Sequence, residues 1–335
     1  MRCAGPVDHP ARPSATRRKG QLPAARGGGG PRRARDIPAV RRSRDPFRHA
    51  DTQIRREREA SSMESTDADR AVVERAVVVG GGHMGSVIAG RLTEELPGAG
   101  VTVVEPSPDR AAALRGNQRL RVEESYRPEP GDVVVLALPP TALDSFVSGL
   151  PADALRDATV VSIMAGVRLE TLAARLGTPR VLRAMPNLAA EVGQSMTMLC
   201  PGPGAGDDDL AGAEKVLSAI GEVLVPPDES FLDAGTALVG SGPALVAYVA
   251  KGFTDYAEQA GFDAAGSLRL TCQVLRGTAD LLEAGNTGPE ELYGRASTPG
   301  GTTEQGIARL GEHRVQDAVR DALEKTAARS RELAD

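Results

Sequence analysis

Apolar residues along this chain follow two different rhythms. From about residue 76 to residue 225, short unbroken runs of β-branched residues alternate with stretches of helical spacing, whereas from Phe231 onward only the helical rhythm is present. Ala76-Val77-Val78-Val79 is a run of the kind buried on both faces of a parallel sheet. Val87, Ile88, Leu92 and Leu96 follow it at a spacing that gathers them on one side of a helix. Similar runs recur at 101–104, 132–138 and 160–163, with later strands expected at 195–200 and 223–225 and a helix at 210–220 between them. Strand and helix in alternation predict an α/β domain. After Phe231, a long helix stopping at Gly261 and a second over 268–282 are apolar on more than one side, which one chain of this size cannot cover alone.

Charge divides the chain differently. The formal net charge of −5 hides a basic head, since residues 1–62 hold 16 Lys/Arg against 6 Asp/Glu and leave the rest with 24 basic and 39 acidic residues, a net of −15. An acidic body gives nucleic acid no footing as a main partner. The head is rich in Arg, Pro, Gly and Ala, includes Gly27-Gly28-Gly29-Gly30, and has almost no apolar periodicity to offset the entropy of ordering, so residues 1–72 are expected to be a disordered extension. A basic arm, an organelle transit peptide and upstream sequence joined by an early start codon are the three readings. Met63, a dozen residues before the first strand, favours the third. Cys3, Cys200 and Cys272 lie far apart with no CxxC and no His at ligand spacing, so neither a metal site nor a disulfide framework is expected. The apolar run 237–250 is broken by Gly240-Ser241-Gly242-Pro243 and falls short of the roughly 20 residues that cross a bilayer. With no secretory segment near the N-terminus, the chain is expected to be soluble and cytoplasmic, without a membrane partner.

The first strand runs into Gly80-Gly81-Gly82-His83-Met84-Gly85, a G-x-G-x-x-G turn between strand and helix. In that context the motif is the first βα turn of a Rossmann fold, with a pyrophosphate on the helix N-terminus. Gly80, Gly82, His83, Met84 and Gly85 are the expected cofactor contacts there, His83 facing cofactor or solvent. The second strand ends in Glu105, 20 residues after Gly85, where a carboxylate would bond a ribose 2′-hydroxyl and repel a 2′-phosphate, with Ser107 and Arg110 near enough to compensate. Ala137-Leu138-Pro139-Pro140 continues another strand past its C-terminal edge, where open α/β sheets bind ligands. Ala296-Ser297-Thr298-Pro299-Gly300-Gly301-Thr302-Thr303-Glu304-Gln305-Gly306-Ile307 places a rigid turn, two glycines and four hydroxyls before a helix, a setting for a small anion. The plain alternative for it is a capping box between Thr302 and Gln305.

Together the fingerprint, Phe231 to Ala244 with its Gly240-Ser241-Gly242-Pro243, and Ser297 to Gly306 resemble the pyrroline-5-carboxylate reductase family. The resemblance runs from about Ala76 to Leu333 and implies a Rossmann-like N-terminal domain over 73–228 followed by an all-α dimerisation domain over 229–335. It implies NADH or NADPH as cofactor, a small cyclic imino acid as substrate, and self-association as a homodimer or a higher ring of dimers. By resemblance, Met164 and Ala165 lie beside the nicotinamide, Asn187 in Met185-Pro186-Asn187 offers an amide to cofactor or substrate, and Thr298, Gly300, Gly301, Thr302 and Thr303 hold the substrate. The amides around Gly301 and Thr302 would take its carboxylate, and the Thr303 hydroxyl would approach the imine nitrogen as the catalytic group. Two departures stand out. The family commonly reads Ala-Val-Lys-Pro where this chain has Ala137-Leu138-Pro139-Pro140, and Thr-Pro where it has Leu188-Ala189. A reductase of another cyclic imine and a non-catalytic regulatory relative are the alternatives. The cofactor expectation is dual use with a lean to NADH.

Overall fold

The computed structural model describes residues 72–334 apart from Asn286. The disordered extension expected over 1–72 falls, but for Val72, outside the described residues.

The valine runs build one eight-stranded sheet. Its strands are β1 (Arg75–Val79), β2 (Gly100–Val104), β3 (Leu120–Glu123), β4 (Val133–Leu136), β5 (Thr159–Ser162), β6 (Val181–Met185), β7 (Ser195–Pro201) and β8 (Gly221–Leu224). They lie in the order β3-β2-β1-β4-β5-β6-β7-β8. All neighbours are parallel except β6 and β7, which pair antiparallel with Arg183 opposite Cys200. Helices α1 (His83–Glu95), α2 (Pro108–Leu114), α3 (Leu143–Ser148), α4 (Leu169–Leu176) and α5 (Asp207–Ser218) supply the crossovers. Side chains alternate between the two faces of each strand. Val78, Val103, Val135 and Leu182 pack with Ile88 and Leu92 of α1 and Val216 and Leu217 of α5, while Val77, Val134, Val160 and Val181 pack with Leu143 of α3 and Leu172 of α4. Both faces are thus covered, which is why the runs are continuous rather than alternating.

β3 is the strand that apolar runs do not announce. Leu120-Arg121-Val122-Glu123 lies at the sheet edge with only β2 beside it, so half of its surface stays wet and takes charge.

From Phe231 the described chain is helical: α6 (Phe231–Gly235), a π-helical turn over Thr236–Gly240, then α7 (Gly242–Gln259), α8 (Ala264–Gly285), α9 (Pro289–Ala296), α10 (Thr302–Glu312) and α11 (Val315–Ala334). Leu232 and Ala237 are buried against the sheet, and Gly235 lies so close to Met198 of β7 that a Cβ there would strike its sulfur. The helical path Phe231–Gln259 is continuous, longer than the run 237–250 suggests, and is the one stretch among the described residues long and apolar enough to cross a membrane by length and composition. Its apolar residues instead help line a groove of about 480 Å³ between α7, α8 and α11, where Val246, Val249, Leu275, Val319 and Leu323 face open space.

Candidate active site

The turn after β1 is built around two close approaches. Gly80 sits at φ 104°, in the region that disfavours side chains, and its N–H donates to the Val104 carbonyl at 2.9 Å. A Cβ on Gly85 would run into the Gly80 carbonyl oxygen, so the helix can start this near the strand only with glycine there. Gly82 is the N-cap of α1, with no side chain capping it, no acid in the first turn and nothing within 4 Å of where its Cβ would be. Free helix N–H groups and open space in front of them suit a pyrophosphate. Ala137 donates its N–H to the Val79 carbonyl at 2.8 Å, which brings the end of β4 beside the turn. Leu138 is half-buried, and Pro139 and Pro140 are exposed at the start of a single 3-10 turn over Pro140–Ala142. His83 is exposed and its Nε2 meets a Glu191 carboxylate oxygen at 2.8 Å, a link from the glycine turn to the 3-10 turn Leu188–Val192. Met84 packs partly against the core.

Glu105 is where the geometry departs most from what the sequence suggests. The side chain is 2% exposed, and each carboxylate oxygen already takes two donors. Oε2 accepts from Gly81 N–H (2.9 Å) and Arg110 Nε (2.9 Å), and Oε1 from Ser107 N–H (2.7 Å) and Arg110 Nη2 (2.9 Å). Burial by itself would raise its pKa, but the Arg110 guanidinium and the two amides outweigh that and hold it below the ordinary value, while the Arg110 pKa is raised by the pair. The acid is therefore neither free for a ribose hydroxyl nor an uncompensated charge against a phosphate. Ser107 meets it through its backbone, and the outer partner, Arg110, keeps a side chain 59% exposed.

Two further residues also depart from expectation. Met164, expected beside the nicotinamide, is 2% exposed and belongs to the core with Leu136 and Leu172, leaving the exposed Ala165 at the edge of that turn. Asn187, expected to offer its amide to a ligand, spends it on the protein: Oδ1 accepts from Ala189 N–H at 2.9 Å and Nδ2 donates to the Val239 carbonyl at 3.1 Å. One pairing absent from the sequence reading crosses between the sheet and the helical region. Arg183 of β6, 3% exposed, donates Nη1 to Glu229 Oε1 at 2.8 Å, and the same oxygen accepts Leu169 N–H at 2.9 Å. The arginine inside a buried strand was the available signal, since such a charge needs a partner.

The 298–303 turn is exposed apart from half-buried Gly301. Gly300 has φ 73°, Gly301 N–H closes the turn onto Thr298 O at 2.8 Å, and Gly301 is the N-cap of α10. The capping box between Thr302 and Gln305 is not formed, as no side chain caps this helix. Instead Glu304 reaches back, its Oε2 accepting Gly300 N–H at 2.7 Å. With Gly301 N–H taken by the turn, the amides of the first helical residues, Thr302 and Thr303, are the ones left facing outward. No hydrogen bond or ion pair among the described residues ties 298–303 to the sheet edge of the same chain. No three His, Cys, Asp or Glu side chains among the described residues converge as metal ligands.

Residues 229–333 match the family described as pyrroline-5-carboxylate reductase dimerisation, and residues 75–166 match that described as NADP oxidoreductase, coenzyme F420-dependent. The pyrroline-5-carboxylate reductase of Methanosarcina acetivorans is 36% identical over 262 residues, covering 76% of this chain and 96% of the relative. That of Synechocystis is 33% identical over 260 residues, covering 76% and 97%. Among solved structures, the pyrroline-5-carboxylate reductase of Coxiella burnetii has a TM-score of 0.72 at 26% identity, covering 79% of this chain and 100% of that one. Plasmodium falciparum pyrroline carboxylate reductase, solved with NADP bound, has a TM-score of 0.67 at 22% identity, covering 77% and 100%, a likeness of fold.

Proposed function

The chain belongs to the pyrroline-5-carboxylate reductase family, and we propose that it transfers a hydride from NADH or NADPH to the cyclic imine 1-pyrroline-5-carboxylate, giving L-proline. The observation that carries this reading is the presence of two uncapped helix N-termini behind glycine turns, at Gly82 and at Gly301, one in each half of the chain. The first suits a pyrophosphate and the second a carboxylate.

A bound reduced nicotinamide supplies the hydride. The chain's own part is alignment: Gly80, Gly82 and Gly85 shape the turn for the pyrophosphate, and Ala137, Leu138, Pro139 and Ala165 line the edge of the sheet beyond it. The outward amides of Thr302 and Thr303 take the substrate carboxylate, and the Thr303 hydroxyl serves the imine nitrogen. Orientation of this kind can supply roughly 7–11 kcal/mol of the barrier. Among the described residues the 298–303 turn has no hydrogen bond to its own sheet edge, and the groove between α7, α8 and α11 is open, which supports a homodimer, or a ring of dimers, in which a second copy helps complete the site. The same kinship supports a soluble enzyme of the cytoplasm.

For the cofactor we read dual use with a lean to NADH. A 2′-phosphate beside an unpaired Glu105 would cost on the order of 4 kcal/mol at an effective dielectric near 20. The Arg110 pair reduces that cost, because Arg110 can turn outward to a phosphate while Gly81 and Ser107 N–H keep Glu105 satisfied. NADH leaves the pair undisturbed, hence the lean.

The deciding assay follows oxidation of NADH and NADPH with racemic pyrroline-5-carboxylate, with proline as the product measured. Turnover of one enantiomer is expected. A chain inactive on this imine but active on another cyclic imine would move the reading to the second substrate.

A further inference from the structure

Pro243 has no N–H, so the carbonyl four residues before it, Val239 C=O, lacks its α-helical donor. The next donor does not replace it: Ala244 N–H goes to Ser241 O at 3.1 Å. Ser241 N–H in turn reaches back five residues to Thr236 O at 3.0 Å, which widens this stretch into the π-helical turn. A carbonyl freed inside a packed junction needs a donor from elsewhere. Asn187 Nδ2 is that donor, at 3.1 Å. The amide is held firmly, since Asn187 is 8% exposed, its Oδ1 accepts Ala189 N–H, and its own N–H donates to Ser195 Oγ at 3.0 Å. One hydrogen bond therefore crosses from the C-terminal edge of β6 to the π-helical turn that leads into α7, and the Arg183–Glu229 pair is a second link from β6 to the segment just before α6.

We infer that Asn187 is a positioning residue for hydride transfer: by capping the carbonyl that Pro243 frees, it sets the spacing between the cofactor edge of the sheet and the helical half that carries the substrate turn. The inference rests on the reductase reading above. Two reactants held on different halves of a chain react only as well as the halves are registered, and a shift of about 1 Å can cost roughly 100-fold in rate. The residue acts through Val239 and not on the ligand, so its loss lowers kcat and leaves cofactor affinity alone.

The test is a double-mutant cycle of Asn187→Ala and Pro243→Ala, with kcat, both KM values and Tm measured on the full chain. Pro243→Ala restores an N–H that can take Val239 C=O in place of Asn187 and draw the π-helical turn back toward α-helical pitch, so both variants uncouple Asn187 from this carbonyl by different routes. Each single variant is expected to lower kcat roughly 10- to 100-fold with the NADH KM within about twofold of wild type, and the double variant to be no worse than the poorer single. Asn187→Asp, which sets a carboxylate against the carbonyl, is expected to be at least as slow as Asn187→Ala. The inference is overturned by an Asn187→Ala enzyme with wild-type kcat, by losses that multiply in the double variant, or by a raised imine KM in Asn187→Ala with Pro243→Ala unaffected, which would mark a ligand contact. Failure of the reductase reading has a different signature, a wild-type chain inactive on the imine. The bond is then judged by the Tm cycle alone, where additive losses overturn it.

Discussion

The two halves of this chain treat their polar and apolar side chains in opposite ways. In the sheet half, charges are drawn inward and matched: Asp132 is fully buried and accepts from Tyr126 at 2.6 Å and from Arg75, Asp209 is buried beside Arg180, and Glu105 beside Arg110. In the helical half, apolar side chains are turned outward: Tyr248 is 82% exposed, Tyr256 74% and Leu238 66%. The first half pairs its buried carboxylates within one chain, although Arg75 Nε and Arg183 Nε and Nη2 are buried without a hydrogen-bond partner among the described residues. The second leaves apolar side chains uncovered along α7 and α8, and residues 229–333 match a family described as a dimerisation domain. The lesson is that the glycine turn after β1 is a local construction, while the 298–303 turn, on the reading proposed above, would be completed by a second copy.

The largest effect should come from breaking the assembly. Val246→Glu with Leu275→Lys puts charge into the groove, where desolvation opposes association; light scattering should report monomers, and imine reduction should fall to the limit of detection. Fully active monomers would erase the contrast between the halves. Next in size is Thr303→Ala, expected to lower kcat about 100-fold with Tm unchanged, because the side chain is exposed and makes no hydrogen bond within the described chain; wild-type turnover would remove it from the mechanism.

A smaller effect tests the sheet half. Glu105→Ser should raise kcat/KM for NADPH, because Arg110 is released from its pair to meet a 2′-phosphate, and should leave NADH nearly unchanged. A wild-type enzyme that already prefers NADPH tenfold would mean that the Glu105–Arg110 pair opens freely. The pair also has a pH signature. The folded-state pKa of Glu105 lies below its ordinary 4.5, so its stabilising contribution is present above pH 4.5 and is lost as pH falls through the depressed value. The Tm gap between wild type and Glu105→Gln should accordingly narrow on acidification below pH 4.5; a constant gap would show that the charge contributes nothing. The smallest effect concerns Glu304, which holds the Gly300 N–H at the mouth of the carboxylate turn. Glu304→Gln removes a like charge near a helix N-terminus and should lower the imine KM about two- to fivefold at constant kcat, measured by steady-state kinetics.

What could be read from the sequence was what depends on local pattern. The valine runs, the glycine turn and the helical rhythm after Phe231 each report a constraint within a few residues, and β1, α1 and α7 stand where those constraints put them. What could not be read depends on long-range partners. Glu105 was legible as an acid at the end of β2 but not as one taken up by four donors, because Gly81 lies 24 residues away. Asn187 looked available because the donor missing at Pro243 frees a carbonyl 52 residues from it. β3 was silent because an edge strand with Arg121 and Glu123 has no apolar run to show. At 302–305 the spacing for a capping box was present, but the helix begins one residue too early for Thr302 to act as its cap.

The open groove between α7, α8 and α11 has a consequence for how output scales with supply. If a second copy completes the site, as proposed above, the catalyst obeys mass action twice, once for substrate and once for itself. At chain concentrations well below the self-association constant, total rate rises with the square of the amount of chain, and above it the rise becomes linear. On that reading, halving the amount of chain in the dilute regime would quarter the rate.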